Sequence, residues 1–255
     1  MDFDAIVKIL TKYGPSLWLG VQNTLLVALV GTIVGLVIGL VIGGLKAIKV
    51  DSTASSLAKV VKRIYDIFAT IYIEVFRGTP MMVQALFIYY ALLKIFNWTP
   101  IVAGMFVISI NTGAYMSEII RAGIQSVDKG QTEAARSLGM SNIQTMLLVI
   151  LPQAVKNAFP AIGNEFIVNI KDSSVLSVIT LTELMFQANR IAGSVYKFPE
   201  TYFVTACIYL ILTVTMSFIL HIIEGRLSNT RTSYPHSDST SSSVVVLPRN
   251  GKRVK

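Results

Sequence analysis

The chain has 255 residues, of which 53% are hydrophobic and only 14% charged, with a mean hydropathy of +0.63. A soluble domain is about one quarter charged, so this composition argues against a soluble globule and for a membrane protein. In such a protein the net charge of +8 belongs to loops on one side of the membrane rather than to nucleic-acid binding, and the single cysteine, Cys207, excludes an intrachain disulfide and a cysteine-based metal site.

No cleavable signal peptide is expected, because MDFDAIVKIL carries acids where a basic segment belongs. Residues 1–16 are read as an amphipathic lead-in on the outer side. No charge occurs from Tyr13 to Leu45, enough for one span of about 20 residues with slack. Gly31, Gly35, Gly39 and Gly43 recur there at every fourth position and form a smooth stripe for close helix packing.

Residues 46–63 read as a basic connector with Lys46, Lys49, Lys59, Lys62 and Arg63. The apolar stretch from Ile64 to Phe96 is interrupted at Arg77-Gly78-Thr79-Pro80. Proline removes a backbone donor and pushes its predecessor out of the helical region, so the spacing predicts a broken span. Thr99–Ile120 is a third span containing Asn111 and Tyr115.

Gln131–Leu138 is rich in helix formers, and Gly139 stands where a glycine ends a helix. Ser141 with Gln144 matches a capping box that restarts one. Ile143, Met146, Leu147, Ile150 and Leu151 then share one apolar face, which Pro152 disturbs. A polar helix–Gly–helix unit between apolar spans suits the docking of a partner.

Asn157–Phe186 is a fourth span with Glu165, Lys171 and Asp172 in its body. Gln187–Glu200 is a polar loop, and Thr201–Ile223 is a fifth span without formal charge. Residues 1–227 form the membrane domain. Residues 228–255 are serine-rich with a basic end and are expected to be disordered. With the amino terminus outside and the carboxyl terminus inside, the inner segments hold more Lys and Arg than the outer ones, 9 to 5 even without the tail.

Ionisable groups within spans are costly and mark cavities or partners, and broken helices are tolerated where they line a cavity. An amino acid needs donors for its carboxylate and acceptors for its ammonium group. The break at Gly78-Thr79-Pro80, with Asn111 and Glu165, supplies both. Plainer readings stand beside this one. Asp172 can be a helix N-cap, Lys171 can pair with a neighbouring acid, Arg77 can bind lipid phosphate, and Glu183 is read as solvated at the outer end of its span. His221 and His236 have no nucleophile around them, so enzymatic chemistry has little support.

Glu133-Ala134-Ala135, Gly139 and Leu151-Pro152 resemble the EAA loop of ABC importer permeases, with Val149 where that pattern has Ile. Phe76-Arg77-Gly78-Thr79-Pro80 with Gln84 is similar to the second-span motif of the polar amino acid uptake family. Leu151-Pro152-Gln153-Ala154, Pro160, Gly163–Ile167, Lys171–Ser174 and Thr182-Glu183-Leu184 fit its fourth span. The resemblance implies an all-α, five-span type I importer permease in a prokaryotic cell membrane. It implies a second permease subunit, a pair of ATP-binding subunits and a solute-binding protein. The coupling loop would be Gln131, Glu133, Ala134, Ala135 and Gly139. The cargo would meet Gly78, Thr79, Pro80, Gln84, Asn111, Tyr115, Glu165, Asp172 and Ser174. No cofactor is expected on this chain: ATP and Mg belong to the partner, since no phosphate-binding glycine loop with Lys-Ser/Thr occurs here. Glu165 has no basic residue three or four positions away, so a cationic cargo is expected, with glutamine or glutamate as the rival. An autonomous channel or ion-coupled carrier is the competing class, and a scaffold without transport the plainest one.

Overall fold

The computed structural model describes residues 1–48, 50 and 55–228. The tail expectation, Lys49 and His236 lie outside the described residues. Among those described there is no strand. Helices α1 (Phe3–Ala47), α4 (Pro100–Gln125) and α9 (Phe198–Ser228) are each long and apolar enough to cross a membrane. So is the continuous helical run Asn142–Ile179. The pair α2 (Ser56–Gly78) and α3 (Met81–Phe96) qualifies jointly, bent by 111° at the break, and gives the fifth span.

Several expected boundaries move. The lead-in is not separate: α1 runs 45 residues straight through Pro15, starting at an N-cap where the Asp2 carboxylate accepts from Ala5 N. At 1.5 Å per residue it is about 67 Å long, more than twice a hydrocarbon core. The connector is shorter than 46–63, because Ser55 caps α2 through Ala58 N and puts Lys59, Lys62 and Arg63 on its first turns. The fourth span does not reach 186. Its α-helix, α7 (Leu151–Asp172), tightens to a 3₁₀ segment, Ser173–Ile179, and then breaks. The expected polar loop 187–200 is largely helix α8 (Leu184–Val195), whose Leu184, Gln187, Ala188, Ile191 and Ala192 are buried at helical spacing.

The glycine stripe packs α1 along α4. A Cβ on Gly31 would fall 2.6 Å from Ile108 Cγ2, and one on Gly35 2.7 Å from Thr112 Cγ2. Gly39 and Gly43 meet Met116 and Ser117 in the same way, so the two helices run parallel in close backbone contact. A third helix joins them through a buried amide. Asn169 of α7 donates to Thr32 Oγ1 of α1 at 2.9 Å and accepts from Thr112 Oγ1 of α4 at 3.0 Å. All three residues are buried. One apolar cluster, including Val27, Ala85, Ile108 and Leu176, packs α3 and the 3₁₀ segment onto α1 and α4. α9 lies on the periphery and exposes Leu210, Ile211, Val214 and Phe218, as a lipid-facing span does.

Candidate functional site

At one end of the bundle sits the helix–Gly–helix unit. Helix α5 (Lys129–Ser137) starts at Asp128, whose carboxylate accepts from Gly130 N. It ends in a Schellman motif: Gly139 N donates to Arg136 O at 2.9 Å and Met140 N to Ala135 O at 3.2 Å. Gly139 has φ +81°, with open space where a Cβ would lie. The predicted capping box is formed, with Ser141 N donating to Gln144 Oε1 at 2.9 Å and Gln144 N to Ser141 Oγ at 3.3 Å. A short helix α6 (Asn142–Gln144) follows. Gln131, Glu133 and Ala134 are exposed and Ala135 packs inward. Leu138, 83% exposed at the tip, is an apolar knob that the sequence did not single out.

Pro152 does not end the helix after Ser141. It widens it: Thr145–Ile150 is π-helical and runs directly into α7. Pro152 has no N–H for the Leu148 carbonyl, and a π turn accommodates such a gap. Gln153 Nε2 donates to Val149 O at 2.8 Å and to Gln131 Oε1 at 3.3 Å, tying the widened turn to α5.

The break between α2 and α3 is held by two amides. Gln84 Nε2 donates to Phe76 O, Thr79 O and Thr79 Oγ1 at 2.9, 3.0 and 2.8 Å. Asn111 Nδ2 of α4 donates to Phe76 O at 3.2 Å and to Gln84 Oε1 at 2.9 Å. A helix that ends within a membrane leaves carbonyls unsatisfied, and these side chains satisfy them. The structure therefore gathers Thr79, Gln84 and Asn111 around the break, with Gly78, Thr79 and Pro80 exposed beside it.

Tyr115 joins a different group. Arg77 lies over its ring, 5.5 Å from the centroid. Arg77 Nη1 is also 4.0 Å from Glu118 Oε2, to which Arg121 donates at 2.8 and 3.1 Å. Arg77 thus has a protein carboxylate at hand rather than only a lipid phosphate.

Glu165 and Asp172 lie seven residues apart on α7, two turns along one face. Both are half-buried, and neither makes a hydrogen bond or ion pair among the described residues. Asp172 stands at the N-cap of the 3₁₀ segment without capping it. Lys171 is exposed, and Ser174 is half-buried one turn on. Asn169, between the two acids, bonds Thr112, while the adjacent Asn111 holds the α2–α3 break. The broken span and the acidic face thus share one level of α4.

Glu183 is not solvated. It is fully buried, accepts from Met185 N and Phe186 N at 2.8 and 2.6 Å as the N-cap of α8, and accepts from Tyr209 OH at 2.9 Å. Leu184 N donates to Thr24 Oγ1 at 3.2 Å, and Asn23 Nδ2 to Thr182 O at 2.7 Å. Nothing in the spacing of Thr182-Glu183-Leu184 pointed to this. The Thr32–Asn169–Thr112 bridge was equally hidden, because its members are 57 and 137 residues apart. Asp66 and Glu74 lie on α2 and Glu118 on α4, so only the packing of these two helices brings Arg77 to Glu118, which no local pattern announces.

The comparisons with known proteins agree with this architecture. The family model for the inner membrane component of binding-protein-dependent transport systems matches residues 52–229. A putative glutamine transport system permease protein of Rickettsia bellii (strain RML369-C) is 41% identical over 221 residues, covering 86% of this chain and 97% of the relative. The glutamine transport system permease protein of Escherichia coli (strain K12) is 42% identical over 162 residues, 62% of this chain and 74% of that protein. A chain from the crystal structure of an amino acid ABC transporter with histidines superposes with a TM-score of 0.75 at 41% identity, covering 89% of this chain and 99% of its own length. The MetNI methionine ABC transporter, in an inward-facing conformation, shares the fold at 19% identity with a TM-score of 0.73. The chain belongs to the family of inner membrane permease components of binding-protein-dependent ABC transport systems.

Proposed function

We propose that this permease subunit forms the path for polar amino acids carrying a positive charge, such as arginine, lysine or histidine. The observation that carries the reading is Glu165: a half-buried carboxylate without a protein partner, sharing a face of α7 with the equally unpaired Asp172. An acid at membrane depth needs a counter-charge or water, and a cationic cargo supplies the counter-charge. The solved transporter crystallised with histidines favours this reading, while the relatives named as glutamine permeases support a neutral cargo. Two ATP-binding subunits, which hold ATP and Mg, dock on α5 and α6. A second permease copy completes the path, and a solute-binding protein delivers the cargo at the opposite end. The charge asymmetry supports an amino terminus outside a prokaryotic cell and a docking unit in the cytoplasm. The discriminating variant is Glu165→Gln, which keeps shape and removes charge. Arginine uptake by the reconstituted transporter is expected to fall far more than glutamine uptake. Equal loss for both makes Glu165 a reader of the common ammonium group, and no loss for either removes it from the path.

A further inference from the structure

Helix α2 exposes two unlike faces. Only Ala69 and Ile73 are buried, against the rest of the bundle. Along one side Val60, Ile64, Ile67, Phe68, Ile71 and Val75 are 49–68% exposed, a surface fit for lipid. Along the other, Lys59, Arg63, Asp66, Thr70, Glu74 and Arg77 follow at spacings of three and four, one continuous polar face. Neighbouring helices add charges to it. Lys46 of α1 donates to Thr70 Oγ1 at 2.9 Å, and Glu118 and Arg121 of α4 stand beside Arg77. Asp66 accepts from Lys62.

Glu74 is different. It is exposed and has no hydrogen bond or ion pair among the described residues. Its depth is fixed on both sides: Tyr72 OH donates to Ile110 O, and the Phe76 carbonyl accepts from Asn111, both in the middle of α4. Hydrocarbon does not tolerate an exposed unpaired carboxylate at that level, whereas water in a passage solvates it in place.

We propose that the polar face of α2 lines a water-filled passage from the α2–α3 break to the α5 end of the bundle, and that Glu74 favours cations at the middle of this passage. The proposal rests on the transport reading above and assigns the exit route of the cargo to named residues. The passage begins at the exposed Gly78-Thr79-Pro80 and ends among Lys59 and Arg63.

The experiment is thiol accessibility in the complete transporter, in inverted membrane vesicles, on a Cys207→Ser background. A membrane-impermeant sulfonate thiosulfonate reagent is expected to modify Thr70→Cys and Glu74→Cys at least about tenfold faster than Ile71→Cys and Val75→Cys, because the reactive thiolate forms in water and not in lipid. Equally slow modification at all four positions overturns the passage. So does ready disulfide formation between two copies at Glu74→Cys, which places that residue in a subunit interface. The role of Glu74 is read separately at Thr70→Cys with cationic and anionic reagents of equal size. The cation-to-anion rate ratio is expected to fall several-fold in Glu74→Gln, and an unchanged ratio overturns that role. A cargo other than a basic amino acid leaves these labelling patterns unaltered, so failure here is distinguishable from failure of the functional reading.

Discussion

The Asn111 side-chain amide of α4 donates to Gln84 Oε1 of α3 at 2.9 Å, and both amides close on the Phe76 carbonyl at the end of α2. Two residues expected to touch cargo are therefore occupied by the backbone of their own break, and both are buried.

Asn111→Ala is expected to lower thermal stability in detergent. It removes a donor from Phe76 O and one from Gln84 Oε1, and a buried acceptor left unsatisfied costs about 1–3 kcal/mol. Gln84→Ala, which strips donors from both Phe76 O and Thr79 O, is expected to cost at least as much. Unchanged melting with weakened cargo binding alone would return both residues to the role of ligands.

Gly139→Val acts on the backbone alone. Its φ of +81° suits glycine, while nothing lies within 4 Å of a Cβ there. The left-handed conformation costs an L-residue roughly 1–2 kcal/mol, and a β-branched one more. The Schellman turn between α5 and α6 is expected to distort while insertion proceeds normally. Cargo-stimulated ATP hydrolysis should fall, and coupled hydrolysis at the original rate would acquit this loop as the transmission element.

Glu183→Ala is expected to be among the most damaging single changes in the α8 region. It frees two amides and the Tyr209 hydroxyl within a fully buried site. Loss of an N-cap costs about 0.5–2 kcal/mol, before the orphaned hydroxyl is counted. Tyr209→Phe in the same background should add little, because the bond it removes is already gone. Full additivity in that double-mutant cycle would show that the two residues act independently.

Orientation is open to direct measurement. Cysteines at Asn189 and at Ser141, both exposed and near opposite ends of the bundle, should label from opposite sides in a Cys207→Ser background. Labelling of Ser141→Cys from outside intact cells would overturn the orientation and the docking role together.

The elements that were legible in the sequence are those whose signal is local. The capping box at Ser141, the stop at Gly139 and the break before Pro80 each follow from a few adjacent residues, and all three form. The glycine stripe announced a close helix neighbour without saying which, since Ile108 and Thr112 lie far along the chain. Helix α8 reads as a loop in the sequence because Gln187, Asn189 and Arg190 are polar. What makes it a helix is a tertiary site for its apolar face and a buried cap at Glu183. For α2 the opposite holds. Lys59, Lys62 and Arg63 read as part of a connector, yet on the helix Lys59 and Arg63 form the end of a stripe that reaches Arg77.

The widened turn at Thr145–Ile150 sets an azimuth. A π turn takes up about one more residue than an α turn, and each residue of an α-helix advances the direction of the side chains by about 100°. The heading of Glu165 and Asp172 around the α7 axis, relative to the helix started by Ser141, therefore depends on that single extra residue. Tightening the turn to α geometry would swing the whole carboxylate face by roughly a quarter of a revolution without moving the axis. The helix–Gly139–helix unit and the acidic face are thus two ends of one shaft, with an angular offset built in between them.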